Sequence, residues 1–168
     1  MQNIILIGPM GSGKTTVGKQ LAKRTRMDFV DCDHMIEERC GVSISTIFDI
    51  EGEDGFRKRE TKMLNELCAR NGIVLATGGG AIATEENRIL LRKSGFVVYL
   101  KTSIETQLAR TQKTQNRPLL ENVDAEQKLT QLMEERGVLY EQEADLTVIS
   151  GERVVSKVVE EILQVVDK

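Results

Sequence analysis

The chain has no tryptophan, and only 4% of its residues are aromatic. Base-stacking platforms for nucleic acid are therefore not expected, because each needs presented rings. Its one histidine, His34, excludes a metal site made of several imidazoles. Its three cysteines, Cys32, Cys40 and Cys68, are odd in number and lack metal-type spacing. They read as reduced thiols in a cytoplasmic protein. No apolar run approaches the ~20 residues of a membrane span. The first apolar run is too short for a secretory signal and no basic stretch precedes it. Basic residues are not in excess either: the net charge is −3, which argues against a nucleic-acid partner.

What the chain does contain is ordinary for a soluble protein. It has 168 residues, 40% hydrophobic and 29% charged, which predicts one domain spanning 1–168 with room for a core. Short apolar runs alternate with helical patterns and there is no internal repeat, the signature of an α/β protein with a parallel sheet. Strands are predicted at Asn3–Ile7, Asp28–Asp31, Ile73–Ala76, Phe96–Leu100 and Leu146–Ile149. Helices are predicted at Lys14–Arg24, Asp33–Cys40, Ser45–Glu51, Asp54–Asn71, Glu85–Ser94, Ser103–Thr111, Ala125–Glu141 and Val154–Val166. Thr102–Glu105 reads as a capping box, and Asn71-Gly72 as a helix stop.

The stretch Gly8-Pro9-Met10-Gly11-Ser12-Gly13-Lys14-Thr15 fits G-x-x-x-x-G-K-[ST] at every fixed position. A β-branched run precedes it and a helical pattern follows. A glycine-rich turn in that context points several backbone N–H groups at one spot, where the helix N-terminus adds partial positive charge. Phosphate is the expected ligand. Lys14 would reach the β/γ-phosphates of a nucleotide, and the Thr15 hydroxyl would ligate Mg²⁺.

Ligands of open parallel sheets bind beyond the carboxyl ends of the strands. Several features fall there. Asp31 and Asp33 are two apart after the second strand, so in extended chain both carboxylates face one way. One would hold a metal-bound water and the other accept a hydroxyl proton; the alternative is that Asp33 caps the next helix. Arg57 and Glu60 are three apart on a helix, either a solvated pair or a guanidinium fork steadied by a carboxylate. Gly78-Gly79-Gly80 allows close approach of backbone to a ligand, where a plain turn needs fewer glycines. The late arginines Arg110, Arg117, Arg136 and Arg153 are candidate phosphate or carboxylate partners, each alternatively a surface residue. Arg117 lies in Thr111–Asp124, a polar stretch long enough to be a functional lid.

The ordered motifs GPMGSGKTT (8–16), DCD (31–33), FRKRE (56–60), TGGG (77–80), ARTQ (109–112), RPLL (117–120) and RGVLY (136–140) resemble those of shikimate kinases over nearly the whole chain. That resemblance implies a three-layer α/β fold: a five-stranded parallel sheet flanked by helices, as in nucleoside monophosphate kinases. It implies a P-loop at 8–16, a substrate-binding region at about 32–60 and a mobile lid at about 111–124. The implied reaction moves the γ-phosphoryl of ATP to the 3-hydroxyl of shikimate, on the route to chorismate and aromatic amino acids. Carried over by motif, Gly11, Ser12, Gly13, Lys14, Thr15 and Thr16 would hold the ATP phosphates. Thr15 would ligate Mg²⁺, with Asp31 acting through water. Asp33 would bind ring hydroxyls and serve as the candidate base. Arg57 and Arg136 would grip the carboxylate, with Gly78, Gly79 and Gly80 against the ring. Arg117 would approach the phosphates from the lid, and Arg110 and Arg153 would flank the adenine. A monomer is implied as well.

One departure stands out. Many members read R-N-P-L-Y where this chain has Arg136-Gly137-Val138-Leu139-Tyr140. Glycine lowers helix stability, and the missing proline removes a rigid constraint on Arg136. The rival readings are a gluconate kinase, a nucleoside monophosphate kinase and a GTP-driven switch. The last would use Asp49-Ile50-Glu51-Gly52 as its D-x-x-G, but that motif follows a helical stretch rather than a strand, and N-K-x-D is missing.

Overall fold

The computed structural model describes residues 2–111 and 124–167. Most of the expected lid, with Arg117, lies outside the described residues. The elements run β1 (Asn3–Ile7), α1 (Lys14–Thr25), β2 (Asp28–Asp31), α2 (Cys32–Cys40), α3 (Ile44–Cys68), β3 (Ile73–Ala76), a 3₁₀ turn (Ala81–Ala83), α4 (Glu85–Ser94), β4 (Gly95–Lys101), α5 (Ile104–Thr111), α6 (Ala125–Glu143), β5 (Leu146–Ile149) and α7 (Val155–Val166).

The strands form one five-stranded sheet in the order β2-β3-β1-β4-β5. Every pairing is parallel, with Ile5 opposite Leu75 on one side and Val97 on the other. β1 is the central strand, and all five of its residues are buried. That accounts for its unbroken apolar run, since a central parallel strand is covered on both faces. Ile5 and Ile7 face a core completed by Ile36 of α2, Leu64 and Leu67 of α3, Leu91 of α4 and Tyr140 of α6. Ile4 and Leu6 face the opposite core, completed by Val17 and Leu21 of α1 and Val158, Val159 and Ile162 of α7. Burying each such side chain contributes about 1.5–3 kcal/mol. The three layers and the five predicted strands are as expected from the sequence.

Three local expectations change. The two helices expected around Gly52 run together as α3, with a break at Gly52 (φ 73°, ψ −179°) and an end at Cys68 instead of Asn71. A backbone with that φ is open to glycine at little cost, and Gly52 is where the chain bends. The cap of α5 is Ser103, whose Oγ accepts from the Thr106 N–H at 3.1 Å; Thr102 is buried and does not cap. Finally, α2 is capped by Asp31, whose Oδ1 accepts from the His34 N–H at 3.3 Å. Asp33 lies inside the first turn, so the capping alternative belongs to Asp31 and not to Asp33.

Candidate active site

The glycine-rich turn joins β1, the central strand, to α1. Gly13 is the N-cap of α1 in the left-handed region (φ 91°), and no side chain caps the helix. A left-handed N-cap excludes a β-carbon at low cost, and a cap without an oxygen does not compete for the first-turn N–H groups. The turn is held from behind. Ser150, at the end of β5, donates its hydroxyl to the Ser12 carbonyl at 2.8 Å. Arg110 of α5 donates to the Gly11 carbonyl at 2.8 Å and to the Gly151 carbonyl at 2.7 Å. Arg110 thus ties the turn to the loop that leads into α7. Lys14 folds its ammonium onto the Gly8 and Pro9 carbonyls, at 2.7 and 2.9 Å.

Thr15 donates its hydroxyl to Asp31 Oδ2 at 3.1 Å. A hydroxyl and a carboxylate at contact distance are hard oxygen donors of the kind that suit Mg²⁺, which takes one or two protein ligands and completes its shell with water and phosphate. Among the described residues no group of three or more His, Cys, Asp or Glu could enclose a metal. A two-oxygen site therefore fits Mg²⁺ and fits zinc poorly. Cys32, between the two aspartates, is buried and free. Burial first, then the carboxylates of Asp33, Glu60 and Asp31, push its thiol well above the usual range, so it is no nucleophile.

Across the cleft, Arg57 donates to Glu60 Oε1 at 2.9 Å and to Glu53 Oε1 at 3.3 Å, with its guanidinium 5.2 Å over the Phe56 ring. The Glu60 side chain is 0% exposed and that of Arg57 16%. This is a buried pair and not the solvated one that helix spacing alone allows. Burial raises the Glu60 carboxyl above its usual range, opposed by the charges of Arg57 and Arg136. Burial acts to lower the Arg57 pKa, but Glu60 and Glu53 together outweigh it and the net shift is upward. The fork therefore stays charged. Arg136 of α6 is itself 7% exposed.

The glycines after β3 make room first for the protein's own side chains. A β-carbon at Gly80 would collide with the Arg57 guanidinium, and one at Gly78 would lie 2.8 Å from Asp33 Oδ1 and 3.1 Å from Glu60 Oε2. Only a bare backbone passes between these charged groups.

One cleft of about 640 Å³ connects the two halves, a size suited to small-molecule ligands. It is lined by Gly11, Ser12, Gly13, Lys14, Thr15, Thr16, Asp31, Asp33, Arg57, Gly78, Gly79, Gly80, Arg110, Arg136 and Arg153. The sequence motifs singled out each of these. Asp31 and Asp33 reach it from a strand end and a helix turn, not from one extended segment. Arg153 is half-exposed and donates to the Ile149 carbonyl at 3.0 Å and to Glu161 at 2.7 Å. Sequence reasoning missed Ser150, which carries no motif. It also missed the apolar wall of Ile44, Phe48 and Phe56, whose rings meet 5.0 Å apart across the Gly52 bend. Helical spacing without that bend does not bring them to one site.

The family description "Shikimate kinase" matches residues 10–167. A shikimate kinase of Thioalkalivibrio sulfidiphilus is 56% identical over 160 residues, covering 95% of this chain and 84% of that one. A shikimate kinase of Pasteurella multocida is 52% identical over 167 residues, covering 99% and 95%. The solved structure of shikimate kinase from Acinetobacter baumannii in complex with shikimate superposes with a TM-score of 0.96 at 48% identity, covering 99% of this chain and 93% of that one.

Proposed function

The chain belongs to the shikimate kinase family, an ATP-dependent phosphotransferase acting on shikimate, and on that premise we propose how its residues divide the work. ATP lies with its phosphates over the turn at 8–16, against the first-turn N–H groups of α1, Ser12 and Thr16. Lys14 leaves the loop carbonyls to meet the β/γ-phosphates. Mg²⁺, held by the Thr15 hydroxyl and through water by Asp31, would neutralise charge on the phosphate oxygens. Arg110 and Arg153 border the adenine end. Arg117, outside the described residues, approaches the transferring phosphoryl group.

Shikimate enters the other half of the same cleft. Its carboxylate meets Arg57 and Arg136, two guanidinium groups suited to charge-assisted bonds with a planar anion. Its ring lies against Gly78, Gly79 and Gly80 and the wall of Phe48 and Phe56. Asp33 accepts from the 3-hydroxyl, orienting the nucleophile and taking its proton as the bond to the γ-phosphorus forms. The leaving group is ADP and the product shikimate 3-phosphate. In-line transfer is mostly positioning and charge stabilisation, so a small set of aligned groups suffices. A cytoplasmic monomer is part of this reading.

The observation that supports it best is the single cleft, with a phosphate-type turn at one end and Asp33 beside a buried guanidinium pair at the other. The test is ADP release with shikimate, with gluconate and with no acceptor, in the parent and in Asp33→Asn. Shikimate alone should stimulate release. The variant should keep ATP affinity and lose roughly 10²–10⁴-fold in kcat. Turnover of gluconate in preference to shikimate, or near-normal turnover in the variant, would contradict the reading.

A further inference from the structure

Tyr140 follows Arg136 by one turn of α6 and is 1% exposed. Its ring is clamped against Tyr99 of β4, with centroids 5.0 Å apart and planes inclined by 23°. Its hydroxyl donates to the Gly79 carbonyl at 2.5 Å. Both ends of the phenol are therefore fixed, the ring by the sheet and the oxygen by the glycine loop. Residues four apart share a helix face, and Arg136 and Tyr140 together line a small cavity behind Pro9 and Met10. Burial pushes the phenol well above its usual range, against the neighbouring charge of Arg136. The hydroxyl thus stays protonated, and a donor, across the pH range in which a carboxylic acid is ionised.

The loop it holds is tight on its other flank. Gly80 faces the Arg57 guanidinium and Gly78 faces Asp33 and Glu60, so a shift of this backbone moves the seat of Arg57. Arg57 comes from α3 and Arg136 from α6, and two guanidinium groups, both cationic and donors only, cannot hold each other in place. The Tyr140–Gly79 bond links α6 directly to that loop.

We propose that Tyr140 is a positioning residue for shikimate binding: its bond to Gly79 fixes α6 against the glycine loop so that Arg136 and Arg57 converge on one carboxylate. This rests on the reading that those two arginines bind the shikimate carboxylate. Two cations on separate elements grip one small anion well only at a set spacing, and misplacement by about 1 Å is enough to lose much of the benefit. The ATP phosphates are held by other elements and do not depend on this spacing.

The test is steady-state kinetics on Tyr140→Phe, which removes one oxygen and keeps the ring. The shikimate KM should rise about tenfold, with kcat and the ATP KM within about twofold, the split expected when uniform substrate binding is lost. Ile162→Val, in the core on the other face of the sheet, serves as the packing control: it should lower Tm yet leave the shikimate KM within about twofold. An unchanged shikimate KM in Tyr140→Phe, or an equal rise in both variants, overturns the proposal. So does a Tyr140→Phe chain that fails to fold, since the hydroxyl is then a folding contact. Arg136→Ala separates the two levels of inference. If it leaves the shikimate KM unchanged, the carboxylate reading falls and this proposal with it. If it raises KM while Tyr140→Phe does not, only the positioning role falls. Added to Arg136→Ala, Tyr140→Phe should give a smaller rise than it gives alone, through Arg57 only, and a full further tenfold rise would also overturn it.

Discussion

The two halves of the cleft are built by different physics. The half proposed for the nucleotide is a contiguous turn, Gly8 to Thr15, which would bind chiefly through main-chain N–H donors, joined by the side chains of Lys14 and Thr15. Its supports, Ser150 and Arg110, act on main-chain carbonyls. The half proposed for the acceptor is assembled from α2, α3, the loop after β3 and α6, and the groups proposed to bind there are mostly side chains. There the central feature is a buried ion pair, Arg57–Glu60, packed against glycines at which a β-carbon would displace the charged side chains of Arg57 and Asp33. A backbone site tolerates loss of one support because several amides share the ligand. A site of buried charges does not, because each ion left without its partner retains its desolvation cost.

The largest contrast should come from Glu60→Ala. Among the described residues, it leaves the largely buried Arg57 ion-paired with the half-exposed Glu53. Removing one partner of a buried pair costs about 3–5 kcal/mol. For a chain of this size, about 3 kcal/mol lowers Tm by roughly 6–12 °C. The shikimate KM should rise with it, because Arg57 loses its fixed direction, while the ATP KM holds. Thermal melts and both KM values read the outcome. A variant as stable as the parent would show that the pair is a solvated one, and the contrast between the two halves would fail on its acceptor side.

Ser150→Ala probes the other half. The Ser12 carbonyl loses a buried donor at 2.8 Å, a change worth about 1 kcal/mol. The ATP KM should rise about fivefold if that loss falls entirely on nucleotide binding, at 1.4 kcal/mol per factor of ten. The shikimate KM should stay put; whatever part of the loss falls on folding instead lowers Tm, by roughly 2–4 °C if all of it does. An equal effect on both substrates would mean that the turn and the acceptor pocket move as one body.

The same difference governs what could be read from the sequence. The phosphate turn was legible because its requirement is local: glycines at fixed spacing between an apolar run and a helix. The sheet was legible for a similar reason, since β1 and β3 carry unbroken apolar runs that only central parallel strands need. Arg57 and Glu60 were legible as neighbours on a helix, yet their burial was not, because burial is set by α6 and the glycine loop far away in sequence. Ser150 was invisible, a serine 138 residues from the carbonyl it holds. The capping residues slipped by a position or two, Ser103 for Thr102 and Asp31 for Asp33, because each pair offers two competent oxygens and backbone dihedrals decide between them. In the sequence the bend at Gly52 reads as a gap between helices, which is its local meaning. Its larger consequence, bringing Phe48 against Phe56, depends on an angle that no spacing rule supplies.

The smallest effect concerns Gly137, where this chain departs from the pattern of its family. α6 runs unbroken from Ala125 to Glu143, through both Gly137 and the exposed Val138. Gly137 therefore sits in a helix interior, where alanine is favoured over glycine by about 0.8–1.0 kcal/mol. A β-carbon there would meet Met133 Sδ at 3.2 Å and nothing else closer than 3.8 Å. That neighbour is the far end of a flexible side chain and can shift by a few tenths of an ångström at small cost. The gain outweighs the crowding, and Gly137→Ala should stabilise the chain by about 0.5 kcal/mol or more, a rise of roughly 1–2 °C in Tm. Arg136 is already held by burial, and Tyr140 one turn later is fixed at both ends, so the shikimate KM should not change. A KM that rises as Tm rises would mean that α6 bends at Gly137 when the acceptor binds. The acceptor half would then be a moving part, and its difference from the nucleotide half would be one of dynamics as well as of construction.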